Sequence, residues 1–273
     1  SQQQQKTKSL ILTIEGGGDD SSATISIGKK GNIKEVYRTN DAMIGRLYRF
    51  ITLLLGMKPG QHEYKVMGLA PHGQEYHGKK SLKHFEKFNK ISGHKIFKKT
   101  VFKDIYFSSR KELHGERFDG IAWGLQTCTE RFLKKWVLNC IKKFKIQDII
   151  ISGGVAQNIK AIKYLLDQKK VKSIWSGPIS GDGSLGIGAA WLATKKFDKK
   201  NKVKKIDHVY FGSEISNAEI EIYIRKKCKN FKILKNVKNK QVAQWIANGL
   251  IVARCKGKME FGQRALGNRS ILA

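Results

Sequence analysis

The sequence predicts an α/β fold, and three observations carry that prediction. Short β-branched runs separated by turn residues open the chain, and longer segments with apolar residues at helical spacing follow. In the second half strands and helices alternate, each strand running into a glycine-rich turn. With 273 residues, 40% of them hydrophobic, the chain is long enough for one large domain and part of another.

Strands are predicted at 10–14, 23–27 and 33–37. The first alternates and ends in Gly16, Gly17 and Gly18, the second is β-branched, and the third follows a Lys-Lys-Gly-Asn turn. Asp41 is placed to cap a helix whose apolar positions are Ile44, Leu47, Tyr48, Ile51, Leu54 and Leu55. Residues 59–73 read as a glycine-containing loop, and roughly 79–115 as an irregular, charged and aromatic insertion. A long amphipathic helix at 118–145 carries Ile121, Leu125, Cys128, Phe132, Trp136, Cys140 and Phe144 on one stripe. A strand at 148–152, a helix at 159–166, a short strand at 171–175 and a helix ending near 195 complete the first domain, 1–200. The order βββα, insertion, αβαβα is the succession of the RNase H-like unit of actin-like ATPases, whose phosphate loops leave strand ends. A linker rich in Lys and Asn at 195–205 marks a boundary. Residues 201–273 are predicted to begin a second α/β domain: a strand at its start, a helix capped by Ser216, a helix at 241–247 and a strand at 250–254.

The formal net charge is +31, which admits a nucleic-acid or anionic-membrane partner. The excess is overwhelmingly Lys scattered in surface pairs, whereas bidentate reading of phosphates or base edges favours Arg. Solvated faces are therefore the preferred reading, and nucleic acid is not expected as a partner. No apolar run approaches the roughly 20 residues that cross a bilayer, and 47–57, the most apolar stretch, reads as a core helix. Cys128, Cys140, Cys228 and Cys255 form no C-x-x-C pair, so free thiols in a reducing cytoplasm are expected. His72 and His77, five apart, do not share a helical face, and no His/Cys metal site is expected. The polar start, SQQQQKTKS, holds neither a signal peptide nor an initiating Met; a fragment at both ends is the expectation.

Four glycine-rich loops could carry chemistry. In SGGVAQN, Gly153 and Gly154 allow close backbone approach and the helix start at Asn158 suits an anion, although strand-to-helix turns use such glycines for geometry alone. In SGDGSLGIGAA, Asp182 sits where a carboxylate reaches a metal or a ribose hydroxyl, or caps a helix. In TIEGGGDDSS, Glu15, Asp19 and Asp20 offer hard oxygen ligands to a divalent cation, or simply form a solvated hairpin turn. In GQHEYKVMGLAPHG, Lys65 presents a point charge beside Gly68. Three such exits from one sheet, two of them carrying acids, point to a nucleotide site at the carboxyl ends of the strands. The closing run CKGKMEFGQRALGNRSILA, with Lys258, Arg264 and Arg269 among glycines, suits a polyphosphate or acyl phosphate.

The blocks EYKVMGLAPHG, SGGVAQN, SGDGSLGIGAAW and GKMEFGQRALGNRSILA resemble, in order, the signature blocks of the NodU/CmcH carbamoyltransferase family, which includes tobramycin-type O-carbamoyltransferases. They cover nearly the whole chain. The resemblance implies an actin-like domain followed by a YrdC-like domain. It implies that ATP and carbamoyl phosphate yield carbamoyl-adenylate and pyrophosphate, and that the carbamoyl group passes to a hydroxyl of a sugar, antibiotic or other small molecule. A divalent metal is implied beside the transfer site, iron in relatives, with Mg accompanying ATP. Carried over by position, Asp182 matches a metal-binding aspartate. Gly153, Gly154, Val155 and Asn158 match the adenylate-binding turn, with Gly181 in the neighbouring loop, and Lys65, Met67, Gly68 and Ala70 match a loop of the same cleft. Lys258, Arg264 and Arg269 match the basic block opening the second domain and are the expected catalytic cations. Glu15 stands where the family has Asp, and EGGGDD replaces a DGxGEW-like pattern.

The resemblance also implies segments before residue 1, with paired His ligands, and beyond Ala273; without them the isolated chain is expected not to be a competent carbamoyltransferase. A sugar kinase would need a DxGTT strand and a catalytic Asp, neither of which is present. A non-catalytic nucleotide- or nucleic-acid-binding protein is the other alternative, and steep salt dependence with little ATP competition would mark the nucleic-acid case.

Overall fold

β1 (Ser9–Ile14) runs through the middle of a five-stranded sheet in the computed structural model, with Leu10, Leu12 and Ile14 wholly buried. The structure describes residues 8–99, 104–177, 179–198, 207–228, 230, 232–262 and 264–273. Its contacts divide the chain into two compact units, Ser1–Ala189 and Ala190–Ala273.

In the first unit β2 (Ala23–Lys29) pairs antiparallel with β1, and β3 (Asn32–Thr39) antiparallel with β2 across a register shift at Ile25/Ser26. On the other side β6 (Asp148–Ser152) lies parallel to β1, and β7 (Ser173–Ser176) parallel to β6, giving the order β3-β2-β1-β6-β7. Thr13 pairs with Ser152 and Ile151 with Ser176, so the three parallel strands end side by side. α1 (Ile44–Leu54) and α5 (Phe118–Phe144) bury one stripe each: Ile44, Leu47, Tyr48 and Ile51 on α1, and Ile121, Leu125, Cys128, Phe132, Trp136 and Cys140 on α5. α5 stops at Lys145 in the left-handed conformation, φ +58. α6 (Ile159–Leu166) and α7 (Leu185–Phe197) follow β6 and β7, and α7 carries the chain into the second unit. Among the described residues no helix is long and apolar enough to cross a membrane, and all four cysteines are free.

Three sequence expectations for the first unit need correction. The segment 59–73 is largely helical: α2 (Glu63–Leu69) runs into a single tight turn, Ala70–His72. Its glycines and prolines obscure an unbroken helical run whose first residue, Glu63, accepts the Gly60 amide at 2.6 Å. The stretch read as irregular holds α3 (Glu75–Phe85), a hairpin of β4 (Asn89–Ser92) and β5 (Lys95–Lys98), and α4 (Ile105–Glu112). It is bound into the core: Tyr37 donates to the Ile96 carbonyl and the Trp136 indole to that of His94. Asp41 does not cap α1. The helix begins one residue after Met43, whose amide is taken by Asn89 Oδ1 at 2.9 Å, while Asn89 Nδ2 donates to the Asp41 carbonyl. The capping group thus comes from 46 residues away.

The second unit holds α8 (Asn217–Lys227), α9 (Asn239–Ala247) and the antiparallel pair β8 (Val252–Cys255) and β9 (Arg269–Leu272). Ser216 caps α8 reciprocally with Glu219, as its sequence implies. The strand expected near its start is a single bridge, Tyr210 with Glu260. Most of the expected linker, 199–205, lies outside the described residues.

Candidate functional site

The parallel run of β1, β6 and β7 sends three loops off one edge of the sheet, and hydrogen bonds join the loops after β6 and β7. Gly153, the first residue after β6, has φ +97, and a Cβ there would sit on the backbone of Ile14 at the end of β1. Only glycine satisfies both demands. The Gly153 amide donates to the Ser180 carbonyl at 2.7 Å, and the Ser152 hydroxyl donates to the same oxygen at 2.9 Å. Ser180, 5% exposed, also joins its hydroxyl to that of Ser176 and donates to the Gly177 carbonyl. The SGDG loop after β7 is therefore tied to the GGVAQN turn two residues before Asp182. A Cβ built on Gly181 would lie 3.9 Å from Gly154 Cα.

Glu15 leaves β1 on the same edge. Its amide donates to the Ser22 carbonyl and that of Gly18 to Ser21, so the loop closes the β1–β2 hairpin. The Glu15 carboxyl is raised above its ordinary value, first by desolvation, then by the charges of Asp182 and Asp19. Asp182 thus lies near enough for its charge to act on Glu15. Asp182 itself is exposed, opens a single turn capped by Gly181, and makes no capping hydrogen bond. Asp20 lies apart in the left-handed region, φ +59, where its charge acts on Arg38 of β3.

Mutually repelling carboxylates at one sheet edge are the donor chemistry of a hard divalent cation. Glu15 and Asp182 fit as two ligands of such an ion. Among the described residues no three His, Cys, Asp or Glu side chains form a ligand set.

Two features of the site were not read from the sequence. The first is the seat of α1 on the Glu15 loop: a Cβ on Gly45 would come 2.6 Å from Glu15 C, and Arg46 Nε donates to the Gly16 carbonyl at 2.9 Å. The second is what Asn158 does. It caps α6 by accepting the Ala161 amide, and its carboxamide pairs reciprocally with that of Gln126 at 2.8 and 3.1 Å. It also donates to Tyr48 Oη at 3.3 Å, and the Tyr48 hydroxyl donates in turn to Gln126. All four valences of the Asn158 side chain are thereby used inside the fold. Glu130 fixes the outer end by accepting from Gln126 Nε2 at 2.6 Å. Burial pushes the Tyr48 hydroxyl pKa upward, so it stays a donor. Asn158 underpins the turn from below, and Val155 is buried in the core.

Lys65 and Gly68 face solvent on α2, whose Val66 and Met67 are buried. Lys65 Nζ lies 3.4 Å from His62 Nε2.

In the second unit, Arg269 braces the closing loop: Nη1 donates to the carbonyls of Lys256 and Asn268 and Nη2 to that of Gly257, at 2.9–3.0 Å. Glu260 accepts the amides of Leu266, Asn268 and Arg269 on one oxygen. Desolvation works to raise its pKa, but these amides outweigh it and hold the carboxyl at about 2. Lys258 and Arg264 are exposed on the loop so formed. Because Glu260 is depressed when folded, its contribution is complete above the ordinary carboxylate value and is lost as pH falls towards 2. Glu260→Ala is expected to lower the hydrogen-exchange protection factors of the Leu266 and Asn268 amides at least about tenfold; unchanged protection would refute this.

Residues 4–191 match the family model described as Carbamoyltransferase N-terminus, and residues 243–273 that described as Carbamoyltransferase C-terminus. The chain is 32% identical to an uncharacterized protein of Methanocaldococcus jannaschii, over 97% of this chain and 53% of that one. It is 28% identical to nodulation protein NolNO of Sinorhizobium fredii, covering 97% and 40%, and 26% identical to nodulation protein NolO of Bradyrhizobium diazoefficiens, covering 97% and 50%. The chain thus spans about half the length of the curated relatives it matches. With the N-terminal model matched across the sheet and its three loops and the C-terminal model across the closing hairpin, the chain belongs to the NodU/CmcH-type carbamoyltransferase family.

Proposed function

We propose that this protein acts in transfer of a carbamoyl group to a hydroxyl of a small molecule, such as a sugar or another metabolite, by way of carbamoyl-adenylate. The observation that carries this reading is the convergence of the Gly153–Gly154 turn, the SGDG loop and Glu15 on one sheet edge, in a member of this family. The order β3-β2-β1-β6-β7, an antiparallel meander extended by two parallel strands, supports an actin-like, RNase H-like first domain. The second unit is read as the opening of a YrdC-like domain, where Lys258 and Arg264 meet polyphosphate charge and Arg269 keeps their loop in shape.

In balanced form, carbamoyl phosphate and water give carbamate and phosphate, and the carbamate oxygen attacks the α-phosphorus of ATP to give carbamoyl-adenylate and pyrophosphate. The acceptor hydroxyl then attacks the carbamoyl carbon and loses its proton, AMP departs, and a carbamate ester is formed. The Gly153–Gly154 turn, with no side chain at Gly154 in the way, receives the adenylate phosphate against backbone amides beyond that of Gly153, which the Ser180 carbonyl holds. Glu15 and Asp182 hold a divalent cation at the opening. When bound, that ion supplies Lewis-acid polarisation of the carbamoyl oxygen.

Calorimetric titration with AMP and with ATP·Mg²⁺ tests the reading, together with mass-spectrometric detection of carbamate ester when carbamoyl-adenylate and hydroxyl acceptors are supplied. Saturable nucleotide binding that changes little with salt is expected. Nucleic-acid affinity that collapses with salt and ignores ATP would overturn it.

A further inference from the structure

We propose that Gln157 is the residue that selects a carbamoyl group over other acyl groups, an inference that rests on the carbamoyl-transfer reading above. Gln157 is the last residue of the single turn Gly154–Gln157 and is exposed, between the buried Ala156 and the buried Asn158. Its side chain reaches across to the neighbouring loop. A Cβ built on Gly181 would lie 3.6 Å from Gln157 Cδ and closer still to Nε2. The carboxamide therefore rests against the residue before Asp182, where the adenylate turn and the carboxylate pair adjoin. Among the described residues it has no hydrogen-bond partner.

The contrast with Asn158 gives this meaning. One residue on, a carboxamide has every valence met inside the fold; Gln157 keeps two N–H donors and a carbonyl acceptor at the mouth of the site. A carbamoyl group, O=C–NH₂, is itself a primary amide in outline. A carboxamide is its reciprocal partner, since Nε2–H donates to the carbamoyl oxygen while Oε1 accepts from its NH₂. An acetyl group offers only the first of these bonds. A bare Gly181 is what lets the side chain lie flat across the junction, since any Cβ there would displace it.

The test uses the full chain with three probes: AMP, 5′-O-(N-carbamoylsulfamoyl)adenosine and its N-acetyl counterpart, with Kd measured for wild type, Q157L and Q157E. Wild type is expected to prefer the carbamoyl analogue about tenfold, the discrimination that a directed hydrogen bond confers. Q157L is expected to erase that preference by weakening the carbamoyl analogue alone, leaving AMP and the acetyl analogue within about twofold. Q157E, which keeps the shape and loses the donor, should fall in the same direction. A general loss of fold or of nucleotide affinity moves all three probes together, so the ratio isolates Gln157. Wild type that binds AMP but shows no preference, or Q157L that keeps it, overturns this inference alone. Wild type that binds none of the three overturns the carbamoyl-transfer reading, and this inference with it.

Discussion

Gly153→Ala is expected to cost about 3 kcal/mol of folding stability and to abolish adenine-nucleotide binding, whereas Gly154→Ala leaves stability within about 0.5 kcal/mol. The two glycines look equivalent in the sequence, yet their surroundings are opposite. Gly153 holds φ +97, and its missing Cβ would occupy the place of the Ile14 backbone. Neither obstacle can be relieved by a rotamer change, because both are main chain. The alanine variant must unseat the turn from β1 and with it the bond to the Ser180 carbonyl. Nothing lies within 4 Å of a Cβ on Gly154, so a methyl group there meets open space on the side where a ligand would approach. Gly154→Ala should therefore weaken nucleotide binding without weakening the fold. Urea unfolding and nucleotide titration of the pair separate the two effects, and equal stability losses would show that the turn is placed otherwise.

Asp182→Asn is expected to lower affinity for a divalent cation about a hundredfold while making the protein slightly more stable at neutral pH. Glu15 is raised by desolvation and by Asp182 and Asp19. A carboxyl raised in the folded state favours folding while it is protonated. That contribution is complete below the unfolded value, 4.5, and declines as pH climbs through the folded value. Removing the Asp182 charge removes part of that decline, so the gain appears above the window and vanishes below it. A cation reverses the sign, stabilising native protein through the pair it binds. Urea unfolding at pH 4 and pH 7.5, with and without Mn²⁺, reads all of this. An unaltered dependence on pH, or undiminished cation affinity, would dissociate Asp182 from Glu15.

What could be read from residues alone was local in origin. The β-branched run 148–152 followed by Gly-Gly, and the amphipathic stretch beginning at Phe118, carry their structure in their own periodicity. The adjacency of the loops after β6 and β7 followed from parallel strands, which present their ends at one edge. What escaped notice depends on partners far along the chain. Asn89 caps α1 in place of Asp41, Arg46 holds the Gly16 carbonyl, and Gln126 pairs with Asn158 from 32 residues away. α2 was concealed by the glycines and prolines around it, and α3 to α4 by charge and aromatic content that follows no clean period. The Arg269 guanidinium, conspicuous among glycines, turned inward to its own loop's carbonyls.

One oxygen, the Ser180 carbonyl, receives both the Gly153 amide and the Ser152 hydroxyl. Folding alone thereby settles the spacing between two loops that start from different strands, and an arriving ligand finds a surface already assembled. The entropy of gathering those loops is borne when the chain folds, which leaves the free energy of each new contact to show in affinity.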